Sequence, residues 1–447
     1  MYQLKNISNV CEGLKLLSVV YFLITPVLAV ENNSAKPTSD WLIRLAQKPV
    51  DLPSQVNGVD DLIVSVLTNN SQLRSEYAGW QMRESSVRMV VNLPDPTLSA
   101  GYFARSVETA QGPQVAKVSV SQVIPWLSKV KAAKADKQAL ADQAYEKLEN
   151  TWLTLIRELR YLWIEAVYLQ QSLIIMDRKI NLSSDLEAIL TTQYTSASIS
   201  HQKYALVQIR TLELADRREV LIDQRQRTLI ELGILLELEG SFPKDALPEK
   251  MVVTKFVNPN STISNIHPRL GNLDRLLDGS IAQEAAARAD YLPNLKLGLD
   301  YIFTGKKELG GIDVPESGQD PIIFSVGMAL PIWNWKAKRS AVSAAQHQVS
   351  QVKALRQREE QLLQQQHDLS FSKLNENRRL VDLLRNELIP RSEEIVKVSE
   401  QAYISQSIDI QAFTETQQKL LDLKLSLAKA QRSTENQNIV LAYLRGE

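Results

Sequence analysis

Helix breakers are scarce in this 447-residue chain, which has 16 Gly and 17 Pro, and they are absent over long stretches. No Pro or Gly lies between Pro125 and Gly233, and only Pro390 lies between Pro331 and Gly446. That distribution excludes an ordinary mixed domain with frequent turns and predicts long helices. Cysteine is nearly absent too: Cys11 is the single one, so a disulfide framework is excluded. Net charge is also lacking, with 51 basic against 51 acidic residues, and no basic stripe carries interleaved aromatics, so nothing supports a nucleic-acid partner. Nucleophile-elbow, phosphate-loop and zinc-helix motifs are missing. The four histidines, His201, His267, His347 and His367, are scattered without a second ligand at metal spacing. No enzyme activity and no cofactor is expected.

The first apolar run, 16–28, follows Lys5 and Lys15 and ends in Val27-Leu28-Ala29. That pattern reads as a secretory signal peptide, 1–29, cut after Ala29. The alternative, a membrane anchor, has too few apolar residues for the ~20 that a span needs. Cys11 precedes the run and would leave with it, so no N-terminal acyl anchor is expected.

Two stretches repeat. Tyr194, Ser196, Ser198, Ile199, Gln202 and Tyr204 recur in the same order as Tyr403, Ser405, Ser407, Ile408, Gln411 and Phe413, 209 positions later. The chain is an internal duplication. Each copy interrupts a breaker-free segment with serine, which competes for backbone hydrogen bonds, so each marks the turn of a long helical hairpin. Other landmarks agree: Asn70 matches His267, the Pro96, Leu98, Gly101 pattern matches Pro293, Leu295, Gly298, and Pro125 matches Pro331. The offset grows between the strands of the second repeat, which places an insertion in the loop 305–319.

The expected order is N-terminal helices of repeat 1 over 30–92, a β-hairpin over 93–126, a long helical hairpin over 127–239 and a linker over 240–264. Repeat 2 follows with a helix over 265–291, a β-hairpin over 292–333 and a second long hairpin over 334–447. In the first hairpin, strands over 97–107 and 115–124 flank a turn over 108–114, and the return helix runs over 204–239. A 4-3-4-3 seam of Leu148, Trp152, Leu155, Leu159, Leu162, Ala166, Leu169 and Leu173 predicts coiled-coil packing. Ile156, Trp163, Val167 and Ile174 add a second stripe, for a second neighbour. Pro390 is expected to kink its helix without ending it.

The second-repeat strands alternate cleanly: Leu295, Leu297, Leu299, Tyr301 and Phe303 against Asn294, Lys296, Gly298 and Asp300, then Phe324, Val326, Met328 and Leu330 against Ser325, Gly327 and Ala329. Such strands suit an outer-membrane barrel, where no edge can stay unpaired, and four are too few to close one. Three chains would supply twelve. A soluble sandwich under the helices remains an alternative on alternation alone. Trp126, Trp333 and Trp335 stand where a strand ends and a helix begins, the place of membrane-interface aromatics. Core packing is an equal alternative for any one of them.

Signal peptide, duplicated unit and tip pattern together resemble the TolC-type outer-membrane efflux proteins along essentially the whole mature chain. The branch it is most similar to serves heavy-metal cation efflux, cobalt-zinc-cadmium or copper-silver. The residues that carry the resemblance are Val120 to Lys129 (VSQVIPWLSK), Leu93-Pro94-Asp95-Pro96 and Tyr291-Leu292-Pro293-Asn294-Leu295. This chain departs from the family pattern at Ser128, where Gly is usual, and at Ala197 and Gln406, where Gly usually follows the tip tyrosine by three residues.

The resemblance implies a mainly α fold with a β-barrel part: a homotrimer whose twelve-stranded barrel in the Gram-negative outer membrane continues as a periplasmic α-helical tunnel. It also implies an adaptor protein and an inner-membrane pump as partners, with outer-membrane lipid around the barrel. Channel tip and gate candidates are Tyr194, Ser198, Tyr403, Gln406, Asp409 and Glu415. The tyrosines are expected to pack between hairpins, and Asp409 with Glu415 to form a cation-selecting ring or to be ordinary solvated residues. The expected function is passive conduction of substrates, metal cations first. One alternative is an exit duct for multidrug efflux or type I protein secretion. Another, of a different class, is a periplasmic coiled-coil adaptor.

Overall fold

The structure is a computed structural model that describes residues 41, 45, 56, 58–90, 93–249, 267–309, 312–315, 317–330 and 332–446. The signal peptide and most of the linker lie outside these residues. The chain divides into a strand unit, drawn from 87–130 and 292–330, and a helical unit, drawn from 44–86, 131–291 and 331–447.

In the strand unit, β1 (Thr97–Thr109), β2 (Gly112–Ile124), β3 (Leu295–Thr304) and β6 (Ile322–Met328) form one antiparallel sheet in the order β1-β2-β3-β6. A separate two-residue ladder, β4 (Glu308–Leu309) with β5 (Ile312–Asp313), occupies the inserted loop. The first hairpin turn is much tighter than the 108–114 expected, because Gly112 takes φ 128, open to glycine at no steric cost. A Cβ there would meet Gly305 O at 1.9 Å, and Gly305 N donates to Pro113 O at 2.7 Å. Gly318 N likewise donates to Gln111 O at 2.7 Å, so the second hairpin's loop is fastened to the first hairpin's turn.

Register sorts the side chains. Leu98 pairs with Val120 and Val120 with Leu299, which pairs with Phe324; Leu297 pairs with Val326 and Leu295 with Met328. These share one face, and it is exposed: Leu98 is 70%, Phe324 80% and Val326 73% accessible. Across the sheet, Ser99, Ser119 and Asp300 align, as do Ser121, Gly298 and Ser325. Lys117 reaches Asp300 at 3.1 Å on that face. The pattern has exceptions: Ile323 pairs with Asp300, Ile302 with Lys117 and Val123 with Lys296 on the polar side, and Gln122 pairs with Leu297 on the apolar one.

The helical unit begins with α1 (Asp60–Asn69) and α2 (Ser71–Met89), then α3 (Leu127–Thr195) and α4 (His201–Leu235) form the first long hairpin. The return helix starts three residues earlier than the sequence suggested, because Ser200 caps it: its side chain accepts from Lys203 N at 3.4 Å. At 1.5 Å per residue, the 69 residues of α3 extend about 100 Å. Repeat 2 supplies α5 (Pro268–Ala289), then α6 (Trp335–Leu383) and α7 (Ile389–Ile404), joined by a π-turn over Leu384–Leu388, and last α8 (Ile410–Arg445). Pro390 explains the π-turn: it has no N–H for Asn386 O, and its ring crowds that carbonyl, so the backbone widens ahead of it and continues.

Of the seam, Leu148, Trp152, Leu155, Leu159, Ala166, Leu169 and Leu173 are buried, and Leu162 is only half-buried. In the second stripe Ile156, Trp163 and Val167 are buried; Ile174 yields its place to Ile175 and Met176. The two repeats share a core: Leu153 of α3, Leu270 of α5, Leu363 of α6, and Tyr443 and Leu444 of α8 form one cluster. Trp163 packs edge-on against fully buried Phe242 at 6.2 Å, anchoring the start of the linker.

Candidate functional site

The turns of the two long hairpins have the same construction. Ala197 (φ 55) and Gln406 (φ 61) are left-handed, a conformation that costs a residue with a Cβ roughly 1–2 kcal/mol. These are the two positions where the resemblance called for glycine. The left-handed residue lets the chain close the helix end: Ser198 N donates to Gln193 O and Ser407 N to Ala402 O, both at 2.8 Å. Serine hydroxyls then cross each turn, Ser196 to Ser198 at 3.0 Å and Ser405 to Ser407 at 2.9 Å.

Below each turn an aromatic pair ties the two helices. Tyr194 stacks on Tyr204 at 5.2 Å and 6°, and Tyr403 on Phe413 at 5.6 Å and 4°. Each ring is engaged within its own hairpin, where the repeat places a second aromatic ten residues on. Contact between the hairpins is mainly aliphatic. Ile410 joins Leu186, Leu190, Val207, Ile199 and Tyr204, so the structure brings both turns to one end of the helical unit. The sequence signal was present, since Ile199 and Ile408 belong to the repeated motif, but the neighbour of each was not readable.

Asp409 is exposed and caps α8, its carboxylate accepting from Ala412 N at 2.8 Å. Glu415 is exposed further along α8 and accepts from Gln411 Nε2 at 3.2 Å. Ser198 and Gln406 are exposed at the turns themselves. Tyr194, Ser198, Tyr403, Gln406 and Asp409 therefore share the turn region, and Glu415 stands apart from it.

Above the turns, ion pairs that no sequence pattern announced bind the helices together. Lys179 of α3, its side chain 8% accessible, reaches Asp422 of α8 at 2.6 Å. Arg218 of α4 reaches Asp177 of α3 at 2.6 Å, and this hydrogen bond holds the guanidinium pKa above its usual value. Lys424 meets Glu393 at 3.0 Å, linking α8 to α7, and Arg432 of α8 binds Glu165 of α3 while lying over the Tyr168 ring at 4.2 Å.

Of the interface candidates, Trp126 is 39%, Trp333 93% and Trp335 61% accessible, and Trp335 packs edge-on against Tyr291 at 4.9 Å. Among the described residues no helix is long and apolar enough to cross a membrane, and no group of His, Cys, Asp or Glu could hold a metal ion.

Comparison with known proteins bears on this arrangement. Residues 267–447 match the family model described as outer membrane efflux protein. Comparison with curated proteins returned no match. Among solved structures, a membrane protein from Pseudomonas aeruginosa is similar over 94% of this chain and 99% of its own, with TM-score 0.69 and 16% identity. The CmeC outer membrane channel of Campylobacter jejuni covers 87% of this chain and 85% of its own, at TM-score 0.67 and 14% identity. The open state of the Neisseria gonorrhoeae MtrE outer membrane channel covers 87% and 88%, at TM-score 0.68 and 16% identity. The chain thus has the fold of these outer-membrane channels, and its second repeat carries the sequence pattern of the outer membrane efflux proteins.

Proposed function

We propose that this protein is the outer-membrane duct of a tripartite efflux system in a Gram-negative cell, a passive conduit with no chemistry of its own. The sheet is the observation that carries the reading. Its edge strands β1 and β6 have no further partner strand among the described residues, and its exposed face is apolar along all four strands. In water such a sheet would aggregate; in a bilayer its edges must pair. Two more copies of the chain would satisfy both edges and give twelve strands, a homotrimer. The helical hairpins, about 100 Å long, would form the periplasmic duct, with an adaptor and an inner-membrane pump engaging it.

The turns are the proposed channel end, with Tyr194, Ser198, Tyr403, Gln406, Asp409 and Glu415 at or near the constriction. Metal cations are the proposed cargo. This rests on the resemblance to the metal-efflux branch and on three copies each of Asp409 and Glu415 in a trimer. Duplicated hairpins and the sheet speak for the duct over a single-hairpin adaptor. A deletion strain grown on a panel of metals and drugs, and assayed for secreted proteins, tests the cargo. Hypersensitivity to metals alone supports the reading, whereas sensitivity to drugs alone, or loss of a secreted protein, assigns a different substrate to the same duct.

A further inference from the structure

Acidic residues are missing where each sheet hairpin gives way to its long helix. None lies between Glu108 and Asp136, and none between Asp320 and Glu359, although the chain as a whole holds as many acids as bases. Within these gaps stand Lys117, which pairs with Asp300, and Lys129, Lys131 and Lys134 in repeat 1, and Lys336, Lys338, Arg339, Lys353, Arg356 and Arg358 in repeat 2. The two gaps fall at equivalent points of the duplication, beside the repeated Pro125 and Pro331 and the tryptophans that follow them.

The structure separates the bases that serve the fold from those that do not. Lys338 donates to Asp290 O and lies 5.9 Å from the Tyr291 ring, and Arg356 binds Asp274 at 2.5 Å. Lys131, Lys336 and Arg339 are exposed, and none of the three forms an ion pair among the described residues. Lys336 and Arg339 occupy the first turns of α6, directly after Ile332, Trp333 and Trp335, which are 64%, 93% and 61% accessible. Helix N-termini disfavour cations, because the macrodipole is positive there. Keeping uncompensated bases at the start of α6, next to exposed tryptophan, calls for an anionic partner that presents an apolar layer beside its charge.

We infer that the Trp333–Trp335 junction with Lys336 and Arg339, together with the equivalent repeat-1 junction that carries Lys131, binds the phosphate groups of anionic glycerophospholipids in the leaflet nearest the helices. The inference deepens the outer-membrane reading and rests on it. Indole rings settle at the level of the headgroups, and lysine or arginine beside them meets the phosphates with its charge while its stem stays along the apolar boundary. An anionic lipid surface attracts such residues, and salt screens the attraction.

Tryptophan quenching tests this on the full chain reconstituted into phosphatidylethanolamine vesicles. Brominated phosphatidylglycerol is introduced in one arm and brominated phosphatidylethanolamine in the other, at equal mole fraction. The expected result is quenching by the anionic lipid roughly twofold or more above that by the zwitterionic one, collapsing to equality in 1 M salt and in Lys131→Gln/Lys336→Gln/Arg339→Gln. All three side chains are exposed, so the variant should fold, and the salt arm needs no variant at all. Equal quenching by the two lipids in the wild type overturns the inference, and so does an excess that survives the triple substitution. Absence of quenching by either lipid is a separate outcome, which removes the membrane reading beneath it as well.

Discussion

His267 and Asn70, equivalent positions of the two repeats, both cap the helix that follows and both sit against the last turn of their repeat's return helix. Asn70 Oδ1 accepts from Leu73 N at 3.1 Å while its Nδ2 donates to Leu235 O at 3.3 Å. His267 Nδ1 accepts from Arg269 N at 3.2 Å, and its ring meets Tyr443 edge-on at 5.1 Å. The duplication has preserved the joint while changing the residue, and the change makes one joint titratable.

His267 is fully buried, and burial, helped by the Arg269 charge, lowers its pKa to about 4. Arg157 lies over the Tyr443 ring at 4.4 Å, and Glu359 is drawn to Arg269 at 2.5 Å rather than to the imidazole. The unfolded chain binds the proton near pH 6.5, where the folded chain does not. The joint's contribution is therefore complete above about 6.5 and is lost as pH falls toward 4, at most about 3 kcal/mol. His267→Asn, which can still cap, should flatten the fall in thermal stability between pH 7 and 4; an unchanged slope would remove His267 from the acid response.

Gly112 is the steric limit of the sheet's turns. An alanine there would need both a left-handed backbone and the withdrawal of Gly305 O, which stands 1.9 Å from the would-be Cβ. Gly112→Ala should cost on the order of 1–3 kcal/mol and weaken the fastening of the 305–319 loop. Limited proteolysis of the folded protein reads this directly: cleavage in that loop should rise several-fold, while cleavage at Gly101→Ser, whose Cβ has open space, should match wild type.

Two sites, one on each face of the sheet, separate bilayer from water. Met328→Arg places a charge on the apolar face and should impair insertion, at about 2–4 kcal/mol near the midplane. Gly101→Ser lies on the polar face opposite Lys117 and should insert normally. Heat-modifiable mobility of the outer-membrane fraction measures both, and equal behaviour would favour a sheet packed in water.

Much of this architecture was readable because the duplication doubled the signal. The missing breakers set the long helices, and period-two alternation set the faces of β3 and β6. Where two codes overlapped, the sequence was silent. Val115 looked like a strand start, yet β2 begins at Gly112, because glycine at φ 128 closes a turn that composition alone would make longer. The stacking partners of Tyr194 and Tyr403, ten residues on, are visible only once the turn is known to reverse the chain at Ala197 and Gln406. Lys179 with Asp422 was invisible for a plainer reason: a pair between two helices leaves no period in either.

The strained turns make a prediction of their own. Gln406→Gly replaces a left-handed residue by one with no Cβ, and relief of roughly 1–2 kcal/mol is offset in part by the entropy glycine adds to the unfolded chain, about 0.5–1 kcal/mol. A small net gain should appear as slower hydrogen exchange at Ser407 N, which closes the turn onto Ala402 O. Faster exchange there would mean that Gln406 holds the turn through its side chain.

Asp409 combines two roles that substitution can separate. Its carboxylate caps α8, so Asp409→Ala removes both a charge and a cap worth about 1 kcal/mol, and a changed conductance in that variant would be ambiguous. Asp409→Asn keeps an acceptor for Ala412 N and removes the charge alone. In a trimer, three copies each of Asp409 and Glu415 would crowd negative charge near one axis, which attracts cations and repels anions. The expected outcome in planar bilayers is that Asp409→Asn with Glu415→Gln shifts the reversal potential in a salt gradient toward zero, with helix content unchanged. Tyr403→Phe keeps the stack on Phe413 and should leave conductance at the wild-type level. If the double variant keeps the wild-type reversal potential, the acidic pair only solvates the turn, and selectivity is set elsewhere in the duct.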